Sequence, residues 1–299
     1  MIPDIHGHAD KLDALLAHLG WRTNSAGWRG PAPDRKVIFL GDFIDRGPDN
    51  ARVLRTVRSL IDSGKAIAVM GNQEFNAIHF HTEVEGRPLR ARSAKNTRQH
   101  ASFLSEFPLG APRTREAIGW MQSLPLALEE DGLRAVHACW HAPGIDVLRL
   151  AGCLAGLCTE DLHRPGWTEG PVWDALQVAT SGPEVPLPDG VWFADKDGHR
   201  RSEVRVAWWL GAARTWREIA RSVPAPSVLP DAPVPEGVAA FRYTDPVPVF
   251  FGHYWLTGDP QVEAPNALCL DYSAGKDGPL VAYDYCGPMP MDPQRIVQA

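Results

Sequence analysis

"RKVIFLGDFIDRG", residues 35–47, is a short apolar run that ends in Gly-Asp, a pattern that predicts a buried strand leading into a polar loop. Helical periodicity appears on either side, in "DKLDALLAHLGW" (10–21) and "NARVLRTVRSLIDSG" (50–64), and "KAIAVMGN" (65–72) is the next predicted strand. Strands that alternate with helices of this length predict βαβ units, an α/β fold and a mainly parallel sheet. Such sheets bind ligands at the carboxyl ends of their strands, where the Gly-Asp and Gly-Asn pairs lie.

Polar side chains collect at these predicted strand ends. Two later apolar runs, "LRAVHACWH" (133–141) and "PVPVFFGHYW" (246–255), also lead to histidines. The candidate metal ligands are Asp4, His6, Asp42, Asn72, His137 and His253, with Asp45 close behind Asp42. A mixed oxygen and nitrogen set of this kind suits two divalent ions such as Mn, Fe, Zn or Co better than Ca or Mg. Two ions about 3.5–4 Å apart can bind a phosphate and activate a water.

Composition narrows the function classes. The 299 residues include 44% hydrophobic and 22% charged residues, as in a globular protein, and the net charge of −6 argues against a dedicated nucleic-acid or membrane binder. On that charge a nucleic-acid partner is not favoured. We expect no membrane partner, because no apolar run reaches about 18 residues, and the N-terminus lacks the pattern of a signal peptide. Five cysteines, an odd count without a C-x-x-C pair, predict reduced thiols in a cytoplasmic protein.

Five short segments together resemble the calcineurin-like metallophosphoesterases, closest to the phosphoprotein-phosphatase and symmetrical dinucleoside-tetraphosphatase branch. They are "PDIHG" (3–7), "GDFIDRG" (41–47), "GNQE" (71–74), "VHA" (136–138) and "FGH" (251–253). The resemblance implies mixed β-sheets flanked by helices in an α/β sandwich-like fold, with a dinuclear metal site at the strand ends and a helical or irregular cap. It also implies a hydrolase that acts on a phosphomonoester, a phosphoprotein or a dinucleoside polyphosphate.

The resemblance assigns a role to each matching residue. Asp4 and His6 would bind the first ion and Asp42 would bridge, while Asn72, His137 and His253 would bind the second; Asn72 would also contact substrate. Arg46 would hold phosphate oxygens, Asp45 would orient a neighbouring catalytic group, and a metal-bridging hydroxide would attack. Manganese is the expected metal, with Fe, Zn, Co and Ni as alternatives.

Two residues depart from the family pattern. Pro3 stands where the family has Gly, and Gln73 stands where it has the His that protonates the leaving oxygen. An amide cannot act as an acid in that way. The alternative function is therefore a metal-retaining protein that binds a phosphorylated ligand and turns it over weakly; a nuclease or phosphodiesterase is less favoured. Since only three residues precede Asp4, we expect a shortened first strand or a start further upstream.

The remaining segments match the family weakly. We expect one metallophosphoesterase domain over residues 1–299, with cap or insert segments at 83–130 and 150–245. Residues 83–117 lack a strand pattern, and their basic side chains predict a solvated helical face, with a substrate clamp as the alternative. "ALCLDYSAG" (267–275) and "PLVAYDY" (279–285) predict a final hairpin. His79, His81 and His141 are predicted to lie at the surface or to support the site.

Overall fold

The structure is a computed structural model that describes residues 1–25, 27–195, 198–287 and 290–299. Its helices are α1 (Ala9–His18), α2 (Asn50–Asp62), α3 (Asn72–His81), α4 (Ala94–Gln99), α5 (Ala101–Glu106), α6 (Pro112–Gln122), α7 (Ala142–Leu150), α8 (Thr159–Leu162), α9 (Gly170–Ser181), α10 (Trp216–Ile219) and α11 (Glu236–Ala239). Its strands are β1 (Arg22–Asn24), β2 (Gly27–Arg29), β3 (Val37–Phe39), β4 (Ala66–Ala68), β5 (Glu83–Val84), β6 (Arg87–Pro88), β7 (Ala127–Glu130), β8 (Leu133–Val136), β9 (Glu184–Pro186), β10 (Phe193–Ala194), β11 (Arg200–Arg201), β12 (Glu203–Val206), β13 (Ala220–Arg221), β14 (Val249–Phe251), β15 (Ala267–Cys269), β16 (Val281–Tyr283) and β17 (Ile296–Gln298). Short 3₁₀ turns lie at Pro226–Val228 and Pro293–Arg295.

Parallel strands form the centre of the molecule. β3 pairs in parallel with β4, and Ile2 adds a parallel bridge to Phe39, which is all that the first predicted strand becomes. A second sheet has the order β15-β14-β8-β7, in which β14 is parallel to both β15 and β8 while β7 is antiparallel. The smaller sheets pair antiparallel. The predicted α/β fold with mixed sheets flanked by helices is confirmed.

Amphipathic helices cover these strands. Leu12, Leu15 and Leu16 of α1 are buried, as the helical spacing predicts, and so are Val53 and Val57 of α2. Burying each such side chain stabilises the fold by about 1.5–3 kcal/mol. The Asp49 side chain accepts a hydrogen bond from the Arg52 N–H at 3.1 Å and so caps α2. The helix therefore begins directly after the GDFIDRG loop, which holds that loop against the core.

Two predictions about strands are wrong. The 83–117 segment contains the short antiparallel pair β5 and β6 ahead of its helices. The predicted final hairpin does not form, because β15 pairs with β14, and β16 pairs with β17. An apolar run predicts a strand but does not identify its partner. Within the described ranges, no helix is long and apolar enough to cross a bilayer.

Candidate active site

The loops that follow the parallel strands meet at one place. Asp42 follows β3, Asn72 begins α3 just beyond β4, His137 follows β8 directly, and His253 lies two residues after β14. Asp4, close after the Ile2 bridge, belongs to the same group. The side chains of the candidate ligands Asp4, His6, Asp42, His137 and His253 are buried, and Asn72 is partly exposed.

Asp42 lies between two groups of ligand atoms. On one side, single donor atoms of Asp4, His6 and Asp42 lie within 4.8 Å of one another, and Asp42 Oδ2 is 3.6 Å from His6 Nε2. On the other side, Asp42 Oδ1 is 3.4 Å from His137 Nε2. Asn72 Oδ1 completes the second group, at 3.1 Å from His137 Nε2 and 2.7 Å from His253 Nδ1. The structure thus brings together all six residues predicted as ligands.

Backbone carbonyls fix the orientation of two imidazoles. His137 Nδ1 donates to the Leu40 carbonyl oxygen at 2.7 Å, and His6 Nδ1 donates to that of Ile44 at 3.2 Å. A carbonyl can only accept, so in both rings Nε2 keeps its lone pair for the site. Nε2 of His6, the atom that faces Asp42, is buried without a hydrogen-bond partner. A buried nitrogen without a partner fits a metal, because a cation gives it the partner that the protein does not.

The charges at the site also fit cations. Burial raises the pKa of Asp4 and of Asp42, and the neighbouring carboxylates of Asp271 and Glu74 respectively raise them further. Burial lowers the pKa of His137 to about 4 and holds those of His6 and His253 below their ordinary value. Neutral imidazoles and clustered buried carboxylates are the forms that bind divalent ions, which would offset the negative charge.

Several of these residues have a left-handed backbone. The φ angles are 49° at His6, 54° at Asp42, 69° at Asp45, 70° at Arg46 and 75° at His253. This region is unfavourable for residues other than glycine, at about 1–3 kcal/mol each, and such outliers gather at functional sites. The surrounding structure therefore holds the loops in conformations that aim these side chains inward.

Two glycines allow the loops to approach each other. A Cβ on Gly71 would overlap the Asp42 backbone nitrogen and carboxylate, and a Cβ on Gly252 would overlap Asp4 Oδ2. Steric overlap therefore explains why glycine precedes Asn72 and His253 in the sequence.

Glu74 ties two of the loops together, a role that the sequence analysis did not assign. Its carboxylate accepts hydrogen bonds from the backbone N–H groups of Asp42 and Phe43, each at 2.8 Å, and of Gly71 at 3.0 Å. Glu74 is fully buried, and burial raises its pKa to about 7. The side chain fixes the spacing between Asp42 and Asn72.

Replacing Glu74 with glutamine is expected to destabilise the protein by roughly 1–3 kcal/mol, because an amide NH₂ group would face backbone donors and leave at least one unsatisfied. The measurement is the free energy of unfolding in urea, with Glu236→Gln at an exposed position as the matched control. An unfolding free energy equal to that of the wild type would show that Glu74 does not hold the loops.

A cavity of about 600 Å³ opens onto the ligand cluster. Its lining includes Asp42, Asp45, Arg46, Asn72 and Gln73. All the residues predicted as catalytic or substrate-binding therefore face the same space.

A second cavity, of about 1050 Å³, adjoins the first. The two share Arg46, Arg205 and Trp255 in their linings. The Arg46 guanidinium lies 4.2 Å from the centre of the Trp255 ring, which also stacks on His6 at 5.4 Å. The buried Arg205 Nε has no hydrogen-bond partner. Guanidinium groups at this junction can hold phosphate oxygens beside the ligand cluster.

The other histidines singled out in the sequence lie outside this arrangement. His79 is buried with both ring nitrogens engaged, Nδ1 with the Phe75 carbonyl at 2.8 Å and Nε2 with Trp167 Nε1 at 2.9 Å. His141 packs on Phe241 and lines neither cavity. His81 lies at the end of α3 and contacts His100, a residue that the sequence analysis missed.

Clustered neutral imidazoles, buried carboxylates and arginines around one cavity define a metal-dependent hydrolase of phosphate esters. Comparison with known proteins agrees, since a sequence model described as calcineurin-like phosphoesterase matches residues 1–200. The chain belongs to the calcineurin-like phosphoesterase family, and it is a hydrolase.

Individual relatives are similar over most or part of the chain. A symmetrical bis(5'-nucleosyl)-tetraphosphatase from Bordetella pertussis is 29% identical over 287 residues, which cover 94% of this chain and 90% of the relative. One from Ralstonia nicotianae is 35% identical over 170 residues, covering 56% of this chain and 50% of the relative. A solved protein serine/threonine phosphatase from Saccharomyces cerevisiae, 13% identical, aligns over 100% of this chain and 77% of its own with a TM-score of 0.49.

Proposed function

We propose that this protein hydrolyses a dinucleoside polyphosphate with the help of two divalent ions. Asp4, His6 and Asp42 would hold one ion, and Asp42 would share the second with the other three ligands, which are Asn72, His137 and His253. The observation that carries the proposal is the position of Asp42, whose two carboxylate oxygens face opposite groups of ligand atoms at 3.6 Å and 3.4 Å. Two bound ions would make a water nucleophilic near neutral pH and offset charge on the phosphate.

Residues other than the metal ligands would bind the phosphate and face the leaving group. Arg46 has a rigid planar donor group, stacked on Trp255, that would hold two phosphate oxygens together, and Asn72 would contact the same phosphate. Asp45 and Gln73 line the cavity and would lie towards the leaving group. Manganese is the metal that we expect, with Fe, Zn, Co and Ni as alternatives that the same donors would accept.

The shape of the site favours a long substrate that reacts near its middle. The 600 Å³ cavity is lined on one side by Arg90 and Arg98, and the 1050 Å³ cavity extends the other way past Arg200 and Arg221. A chain of phosphates with a nucleoside at each end would place one half in each cavity and its centre beside the ligand cluster. The relatives from Bordetella pertussis and Ralstonia nicotianae are named for symmetrical cleavage of such molecules.

These cavity walls include arginines from the two segments that the sequence analysis predicts as caps or inserts. Arg90 and Arg98 lie within 83–130, whereas Arg200 and Arg221 lie within 150–245. We therefore place both segments as insertions on a single metallophosphoesterase domain, residues 1–299, where they would set substrate choice. The five free cysteines support a cytoplasmic location.

The test is the product distribution from bis(5'-adenosyl) tetraphosphate with Mn²⁺. We expect two molecules of ADP from each molecule of substrate, and a kcat/KM above that for p-nitrophenyl phosphate or a phosphoseryl peptide. AMP and ATP as products would contradict central cleavage. A preference for the peptide would instead assign the enzyme to phosphoproteins.

A second candidate is a metal-retaining protein that binds a phosphorylated ligand and turns it over weakly. The observation that favours it is Gln73, an amide in the cavity at a place where a proton donor is expected. Calorimetric binding of ADP by the Mn²⁺-loaded protein, without hydrolysis of either bis(5'-adenosyl) tetraphosphate or p-nitrophenyl phosphate, would establish this alternative.

A further inference from the structure

Three side chains form a hydrogen-bonded chain that begins in the 600 Å³ cavity. Asp45 Oδ2 lies 2.8 Å from His100 Nδ1, and His100 Nε2 lies 3.1 Å from His81 Nε2. Asp45 and His100 both line the cavity and are 2% and 6% exposed, whereas His81 is only half-buried. The chain thus connects the cavity with the more exposed end of α3.

The hydrogen-bonding pattern of this chain indicates where its protons lie. A carboxylate can only accept, so His100 Nδ1 carries a proton and donates it to Asp45. The two Nε2 atoms can share a hydrogen bond only if one proton lies between them. Burial, with the charges of His100 and Arg92, lowers the pKa of His81 to about 4, so His81 is neutral near pH 7. A neutral His81 can share one proton with His100 across the two Nε2 atoms.

The position of His100 is fixed from several sides. It lies between α4 and α5, where its ring stacks on Phe103 at 4.9 Å and meets Phe80 edge-on at 5.1 Å. Glu106, at the end of α5, accepts hydrogen bonds from the backbone N–H and the side-chain amide of Asn50, each at 2.7 Å. Asn50 Oδ1 in turn accepts from the Asp45 N–H at 2.7 Å. The elements that carry Asp45 and His100 are thus fastened to each other.

Hydrolysis of an unactivated ester needs a group of this kind. The leaving oxygen takes the electron pair of the broken P–O bond. A strongly basic leaving oxygen such as an alkoxide must gain a proton, and a positioned acid typically contributes about 10²–10⁴-fold, whereas a nucleoside phosphate leaves as an anion and needs the proton less. Gln73 cannot supply that proton, and both nitrogens of His79 are engaged elsewhere. Of the imidazoles in the described part of the chain, His100 and His253 line this cavity, and His253 belongs to the ligand cluster.

We infer that the Asp45–His100 pair delivers the proton to the leaving oxygen, and that His81 restores it from solvent. This inference rests on the hydrolysis proposed above. The oxygen of the attacking water bonds to phosphorus and its proton passes to solvent, while one proton moves from His100 through Asp45 to the leaving oxygen. His81 then returns a proton to His100, so each turnover consumes one water and leaves the chain unchanged. His100 and His81 are positioning residues that act through Asp45.

The dependence of rate on the leaving group tests this role. In the Mn²⁺-loaded full chain, His100→Asn is expected to lower kcat/KM on an alkyl phosphate by about 10²-fold and on p-nitrophenyl phosphate only a few-fold, because nitrophenolate needs little protonation. The slope of rate against leaving-group pKa should steepen accordingly. His81→Asn should also steepen the dependence of rate on leaving-group pKa, but by less than His100→Asn does. The exposed His163→Asn is the matched control.

Recovery of activity by a second substitution distinguishes a role of His100 in proton transfer from a role in packing. Gln73→His alone is expected to change the alkyl rate little, because Asp45 already holds His100. In the His100→Asn background the same substitution should recover most of the loss, since Asp45 is then free to orient the new imidazole. Metal content and the melting temperature show whether each variant is folded; if His100→Asn is not, the His81→Asn slope decides.

Three outcomes would overturn the inference. Equal losses on both leaving groups in folded, metal-loaded His100→Asn would assign His100 to packing alone. An unchanged slope in His81→Asn would remove His81 from the relay. Wild-type protein that binds metal but hydrolyses neither bis(5'-adenosyl) tetraphosphate nor p-nitrophenyl phosphate would contradict the proposed function itself, and the relay with it.

Discussion

Asp42→Asn is expected to lower kcat/KM on every phosphate ester by about 10³-fold or more, the loss that corresponds to several kcal/mol of charge stabilisation by bound metal. Asp42 faces both groups of ligand atoms, with Oδ2 towards His6 and Oδ1 towards His137. An amide keeps the size of the side chain but removes its charge and one acceptor oxygen. Metal analysis after loading with Mn²⁺ should therefore show that both ions are weakened together.

Asp161→Asn is the matched control, because Asp161 is also a buried aspartate but caps a short helix away from the cavity. It should retain two ions and full activity. If Asp42→Asn kept two tightly bound ions, Asp42 would not be the shared ligand. If it lost one ion and kept the other, the two sites would be independent.

Arg46→Ala is expected to raise KM and lower kcat, with a combined loss of roughly 10²–10³-fold in kcat/KM, as when a preorganised donor to a charged transition state is removed. Metal content should stay at the wild-type level, since a guanidinium has no acceptor atom and cannot bind a cation. Steady-state kinetics on p-nitrophenyl phosphate, measured beside metal analysis, checks both parts.

Two further variants sharpen this prediction. Arg46→Lys keeps the charge but loses the planar fork and its stacking on Trp255, so it should recover only part of the activity. Arg55→Ala, at an exposed position on α2, should match the wild type. Unchanged kinetics in Arg46→Ala would remove Arg46 from the phosphate-binding role.

The candidate ligands could be found from sequence because their positions depend on local rules. An apolar run that ends in Gly-Asp, in Gly-His or directly in His marks the end of a buried strand, and parallel strands bring such ends to one edge. Asp42, His137 and His253 follow that rule, and the structure places them within a few ångströms of one another. The left-handed backbone at Asp42 and His253 has no comparable sign in the sequence, because neither is a glycine.

Residues that reach the site from elsewhere carried no such sign. His100 lies between two short helices, 55 positions from the Asp45 carboxylate that it contacts. Arg205 comes from strand β12, which has only four residues. A segment this short does not show an alternation of apolar and polar residues that could be recognised in the sequence. Glu74 was visible as a carboxylate after Gly-Asn, but its partners are backbone N–H groups that only the fold assembles.

The effect that we expect from glutamine at position 73 depends on His100. From sequence, the loss of an imidazole at position 73 predicts weak turnover, with Asp45 left free to orient a replacement. In the structure Asp45 already has an imidazole partner from the 83–130 segment. The expected gain from Gln73→His therefore depends on whether His100 is present, which a single substitution cannot show.

Anomalous diffraction at the manganese edge, from crystals of the Mn²⁺-loaded protein, tests the proposed two-ion site most directly. The account predicts two peaks per chain, each within bonding distance of an Asp42 carboxylate oxygen, one beside Asp4 and His6 and the other beside Asn72, His137 and His253. A single peak, or ions bound away from Asp42, would contradict it.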